Sequence, residues 1–129
     1  MSLAIHIFSF GYKYGMPEDI NLLTDVRFLP NPYHIPELRD HSGEETCVRE
    51  YLDGFELARA FPEDYAALIR SIIPGYEEMG KEYINIGIGC TGGRHRSVYT
   101  ACRIYDILKA GGYNADLTHR DILKDVYDE

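Results

Sequence analysis

Residues 84 to 98 read INIGIGCTGGRHRSV, and the second half of this stretch collects two adjacent glycines, two arginines, a histidine and a serine within a few positions. These residue types in this order suit the holding of an oxyanion. Gly92 and Gly93 lack Cβ, so main-chain N–H groups can approach a phosphate closely and adopt positive φ. Arg94, His95 and Arg96 supply charge and Ser97 a hydroxyl, and charge-assisted hydrogen bonds of this kind are the strong ones. Elsewhere the chain offers Lys13, the pair Asp25 and Arg27, and the pair His119 and Arg120. Asp25 and Arg27 are spaced i, i+2, which on a strand puts them on one face as a potential ion pair. Tyr12, Tyr14 and Tyr33 read as packing or rim residues.

The elements that must position these groups follow from periodicity. Ile84, Ile86 and Ile88 alternate with Asn85, Gly87 and Gly89, which predicts a strand from Tyr83 to Gly89. Val98, Ala101, Cys102, Tyr105 and Leu108 then repeat at helical spacing, and Gly111 with Gly112 supplies the stop. A strand, glycine turn and helix in succession leave the first free helical N–H groups, and the positive end of the helix dipole, facing the turn. LAIHIFSFG predicts a first strand at about residues 3 to 9, and Pro17 a short helical turn in the loop behind it. TDVRFLPNPY predicts a second strand stopped by Pro30 and Pro32, and residues 31 to 43 an irregular loop. Two helices are expected at about 44 to 60, with Val48, Tyr51, Leu52 and Phe55 on one face, and at about 62 to 80. In the second, Tyr65, Leu68, Ile69, Ile72 and Ile73 face inward, and Pro74 with Gly75 should break or kink it. YNADLTHRD supplies a fourth strand. The expected fold is α/β, a three-layer Rossmann-like domain with a small, mainly parallel sheet of about four strands. Ligands bind such sheets at the carboxyl ends of strands, so the loops after strands one, two and three would share one crevice.

Bulk properties narrow the function. The 129 residues, 45% hydrophobic and 26% charged, suit a single domain over residues 1–129. Apolar runs are too short for a membrane span, and the start carries no signal-peptide pattern. Cys47, Cys90 and Cys102 form no CxxC pair, as expected of reduced cytoplasmic thiols, and the five scattered histidines give no metal motif. No metal and no cofactor is expected. A net charge of −8 opposes a broad nucleic-acid surface.

Cys90, Gly93, Arg96 and Ser97 also match CxxGxxR[ST], which resembles the phosphate loop of cysteine phosphatases. There the loop amides and arginine hold the phosphoryl oxygens while the positive field activates a thiolate. This leaves an alternative in which Cys90 is the nucleophile and Arg96 binds the phosphoryl group. Gly89, not histidine, precedes Cys90, and no loop offers an evident aspartic general acid. A Walker A motif cannot be laid on the loop in any register.

FSFGYKYGMP, DVRFLPNPY, IGIGCTGGRHRSV and HRD, in this order and spacing, are similar to the carboxyl-terminal domain of the RapZ family of RNase adapter and YvcJ-type nucleotide-binding proteins. The likeness covers nearly the whole chain. It implies a domain that senses glucosamine 6-phosphate and, in some members, binds small regulatory RNAs and a partner RNase. By motif, the phosphosugar pocket carries over to Ser9, Lys13, Asp25, Arg27, Thr91, Gly92, Gly93, His95 and Arg96, and Cys90 to a residue needed for RNA binding in enterobacterial members. The family's amino-terminal P-loop half is not in this sequence, and Tyr33 replaces an enterobacterial histidine. RNA-binding members end in a basic tail, whereas residues 113 to 129 hold five Asp or Glu against Arg120 and Lys124, so RNA is expected to be repelled.

The sequence therefore predicts a regulatory binding domain for a small phosphorylated metabolite, an aminosugar phosphate above all. The amides of Gly92 and Gly93 hold the phosphate with the hydroxyls of Thr91 and Ser97, and His95 or Arg96 completes the charge. Lys13, Asp25 and Arg27 read the far end, with Asp25 accepting from a cationic amine. A protein partner or a second copy is a further expectation, as is an RNA or RNase adapter role in which the pocket only gates the interface.

Overall fold

The structure, a computed structural model, describes residues 3–124. Four strands, β1 (Ala4–Gly11), β2 (Leu22–Asp25), β3 (Tyr83–Cys90) and β4 (Asn114–His119), form one sheet in the order β2-β3-β1-β4. All pairings are parallel. Three helices, α1 (Thr46–Asp53), α2 (Glu56–Glu78) and α3 (Arg96–Ala110), complete an α/β domain of Rossmann-like architecture. No helix among the described residues is long and apolar enough to cross a membrane.

Alternation sets the faces. Ile5 lies opposite Ile84, Ile7 opposite Ile86 and Ser9 opposite Ile88, and all six are fully buried. This face packs with Ala66, Ile69, Ile104 and Leu108 of α2 and α3 in the core. On the other face Gly87 and Gly89 lie opposite Phe8 and Phe10. A Cβ on Gly89 would sit 2.5 Å from the Phe10 ring and 2.7 Å from that of Tyr12. The glycines between the isoleucines thus make room for aromatic rings.

Right-handed crossovers explain the layers. The β2 to β3 and β3 to β4 connections run in one direction across the sheet and carry the helices on one face. The β1 to β2 connection runs in the opposite direction, so its segment, residues 12 to 21, crosses the other face. Contacts agree: the Tyr12 ring stands 4.9 Å from Phe10, and Asn85 donates to the Asp19 carbonyl at 2.7 Å.

Several boundaries differ from the sequence expectation. The short turn forms at Tyr12–Tyr14 rather than from Pro17, because Gly15 closes it by donating to the Tyr12 carbonyl. Strand β2 starts at Leu22 and ends at Asp25, so Arg27 lies just beyond it. The break between α1 and α2 falls at Gly54, whose N–H turns back to Tyr51 and Leu52, leaving Phe55 exposed. Helix α2 runs unbroken through Pro62 and Pro74. Ile69 and Ile73 hold its buried face up to Pro74, while Leu68 faces solvent and Ile72 is only half-buried. The acidic end of the chain, residues 125–129, lies outside the described residues.

Candidate phosphate-binding site

The β3–α3 loop is built by close backbone packing against the end of β1. Gly93 has φ of +78°, and a Cβ there would stand 2.5 Å from the Gly11 nitrogen and 2.8 Å from the Phe10 carbonyl carbon. A Cβ on Gly11 would meet the Gly92 carbonyl carbon at 2.4 Å. The paired glycines therefore answer a packing demand as well as any need for a ligand to approach. On the other side of the loop, Lys13 donates its amide to the Thr91 carbonyl at 3.2 Å.

The loop leads into α3, where no side chain caps the first turn. Arg96, 5% exposed, donates from Nη1 to the carbonyls of Arg27 at 3.0 Å and Leu29 at 3.3 Å. Arg94, 8% exposed, donates from Nε to the Ile122 carbonyl at 3.0 Å. Among the described residues neither arginine meets a carboxylate in an ion pair. The Nε of Arg96 and the Nη1 of Arg94 are buried with no hydrogen-bond partner among the described residues. Buried charge of this kind is costly until something of opposite sign completes it.

Asp25 and Arg27 form a bidentate pair, with Arg27 Nη2 2.7 Å from Asp25 Oδ2 and Nε 3.0 Å from each carboxylate oxygen. Hydrogen bonding to Arg27 holds the Asp25 carboxyl below the usual range, so it stays an anion at neutral pH. The Arg27 guanidinium stacks 4.2 Å from the centre of the Tyr12 ring, and burial raises that phenol. Thr91, Gly92, Gly93, Arg96 and Ser97 thus gather on one loop, with Arg27 tied to it through Arg96. Exposed Lys13 adjoins it, its Nζ 5.6 Å from the Tyr14 ring. His95 is fully buried at the start of α3. Cys90 is fully buried at the end of β3, and its thiol donates to Ser97 Oγ at 3.1 Å.

A family model described as the RapZ C-terminal domain matches residues 3–123. The chain belongs to the RapZ C-terminal domain family. Curated relatives include proteins named nucleotide-binding protein from Moorella thermoacetica, 46% identical over 95% of this chain, and from Clostridium novyi, 47% identical over 96%. A third, from Caldicellulosiruptor saccharolyticus, is 44% identical over 97%. This RapZ C-terminal domain spans only 41%, 42% and 43% of the length of those relatives, respectively.

The structure sets Ser9 apart from the other expected site residues. It is fully buried on the helix-facing side of β1, its Oγ 2.6 Å from His119 Nδ1. The other imidazole nitrogen is 3.5 Å from Glu44 Oε2 and 3.7 Å from Cys102 Sγ. Burial lowers the His119 pKa against the opposing pull of Glu44, and burial also pushes the Cys102 thiol up. A base whose folded pKa is depressed binds fewer protons folded than unfolded, so stability falls as pH drops below about 6.5, the unfolded value. His119→Gln is expected to flatten the slope of urea-denaturation stability against pH between about 6.5 and 5. A slope equal to that of the wild type would show that His119 is not its source.

Two parts of the site escaped sequence reasoning. Asp121 is buried, accepts the Gly11 amide at 2.7 Å and pairs with Arg120 at 2.8 Å. Arg120 also donates to the Gly11 and Gly15 carbonyls, so the HRD stretch fastens the corner that abuts Gly92 and Gly93. The strap at Ser42–Glu45 lies on the loop through Gly43, whose amide donates to the Arg94 carbonyl at 2.7 Å. Its signal was present: Ser42 and Glu45 have capping-box spacing, and the Ser42 amide donates to Glu45 Oε2 at 2.7 Å.

Proposed function

We propose that this domain binds a small phosphorylated metabolite at the β3–α3 loop and serves as a regulatory sensor, with an aminosugar phosphate as the ligand class. The observation that carries the reading is the pair of buried arginines, Arg94 and Arg96, each with an unpartnered N–H at the uncapped start of α3. A phosphate dianion supplies acceptors for those N–H groups and for the first amides of the helix. Asp25, kept anionic and still 43% exposed, has lone pairs free for a sugar ammonium group. That chemistry separates an aminosugar phosphate from its hydroxyl counterpart. The fully buried Cys90 thiol, occupied with Ser97, does not favour the phosphatase reading.

Calorimetric titration with glucosamine 6-phosphate, glucose 6-phosphate and inorganic phosphate tests this. The wild type should bind the aminosugar phosphate tightest, Arg96→Ala should weaken all three by about 100-fold, a loss of about 2.8 kcal/mol, and Asp25→Asn should abolish only the preference for the amine. Absence of binding to any of the three would defeat the proposal. Release of inorganic phosphate by the wild type but not by Cys90→Ser would replace it with catalysis.

A further inference from the structure

A cavity of about 380 Å³ opens at the amino-terminal edge of the sheet, away from the β3–α3 loop. Leu3 and Ile73, 5% and 6% exposed, line it with apolar surface, and Asn114 at the start of β4 forms part of its wall. The remaining wall includes Arg70, Pro74 and Glu77 of α2. Neither the Arg70 guanidinium nor the Glu77 carboxylate forms a hydrogen bond or ion pair with any described residue. Seven helical positions put the two charges about 10 Å apart along the axis. Pro74 has no N–H to give the Arg70 carbonyl one turn earlier, so that carbonyl lacks its usual helical donor, and both residues belong to the cavity wall.

We propose that this cavity is a docking seat for a polypeptide, namely the segment that precedes this domain in its longer relatives or its equivalent on a separate chain. The matched region makes up 41% of the Moorella relative, and the family is a carboxyl-terminal domain, so most of such a protein lies ahead of the position of Leu3. Leu3 is itself part of the cavity wall. Polypeptide also fits the chemistry. An amide N–H answers the carbonyl left by Pro74, apolar side chains cover Leu3 and Ile73, and about three residues of extended chain, at roughly 3.3 Å each, span the distance between Arg70 and Glu77. A sugar phosphate offers neither the apolar surface nor that reach.

The test uses a fluorescent synthetic peptide, taken from the residues immediately ahead of the matched region in the Moorella relative, titrated with the 129-residue chain by anisotropy. Saturable binding is expected for the wild type. The charge reversals Arg70→Glu and Glu77→Lys should each weaken it by about tenfold or more, with thermal stability and sugar phosphate binding unchanged. Arg96→Ala, at the other end of the domain, should bind the peptide as the wild type does. No binding, equal binding of a scrambled peptide, or insensitivity to both reversals would overturn the proposal.

Discussion

Asp121→Ala is expected to remove about 1–3 kcal/mol of folding stability, the cost of leaving the buried Gly11 amide without its acceptor. The carboxylate is 1% exposed and accepts from the Gly11 amide while pairing with Arg120. Its loss strands the buried Gly11 donor, while Arg120, one third exposed, keeps the Gly11 and Gly15 carbonyls. Asp121→Asn keeps one acceptor for Gly11 and should cost less. Urea denaturation monitored by circular dichroism measures both, with the m-value unchanged if the native fold persists. A loss below about 1 kcal/mol for the alanine variant, within the range of an ordinary surface change, would show that the corner is held by other means.

Gly93→Ala should cost about 2–5 kcal/mol, from about 1–2 for a left-handed conformation and about 1–3 for forced overpacking. The comparison that isolates the packing is Gly112→Ala. Gly112 also has positive φ, +87°, but a Cβ there would meet nothing within 4 Å. If packing against β1 is the greater demand, the Gly93 variant should melt several degrees below the Gly112 variant. Equal melting temperatures would show that only the dihedral matters. Binding measured well below the melting transition should also weaken in the Gly93 variant, since the loop must shift to admit the methyl group.

Much of this arrangement was legible in the chain. Alternating isoleucines marked β3 because one face is buried throughout, and the 3.6-residue pattern after Ser97 marked α3. The strand–turn–helix unit brought Thr91 to Ser97 into view as one group. The bidentate pair of Asp25 and Arg27 followed from their spacing, although the strand ended before Arg27 did. What stayed hidden were relations over long stretches of chain. Gly11 and Gly93 touch only because β1 and β3 are neighbours in the sheet, and no local pattern announces this. Ser9 entered the expected pocket only through the family resemblance, and its hydrogen bond to His119 comes from the pairing of β1 with β4, which no local pattern shows. Pro74 reads as a helix breaker, yet buried side chains hold α2 together and leave only a freed carbonyl.

The sheet order also decides when the domain can exist during synthesis. Strand β1 leaves the ribosome first, yet its two neighbours begin at Tyr83 and Asn114. At a translation rate of about 5–20 residues per second, β1 waits several seconds for its first partner. It then sits as an edge until β4 emerges. Its alternating apolar face has nothing local to cover it during that interval. The Gly11 amide and the Arg94 side chain receive their partners, Asp121 and Ile122, only from the stretch that follows β4. The corner beside Gly92 and Gly93 thus closes only after β4 has emerged, so a chain halted at α3 carries the glycine loop without the corner that shapes it.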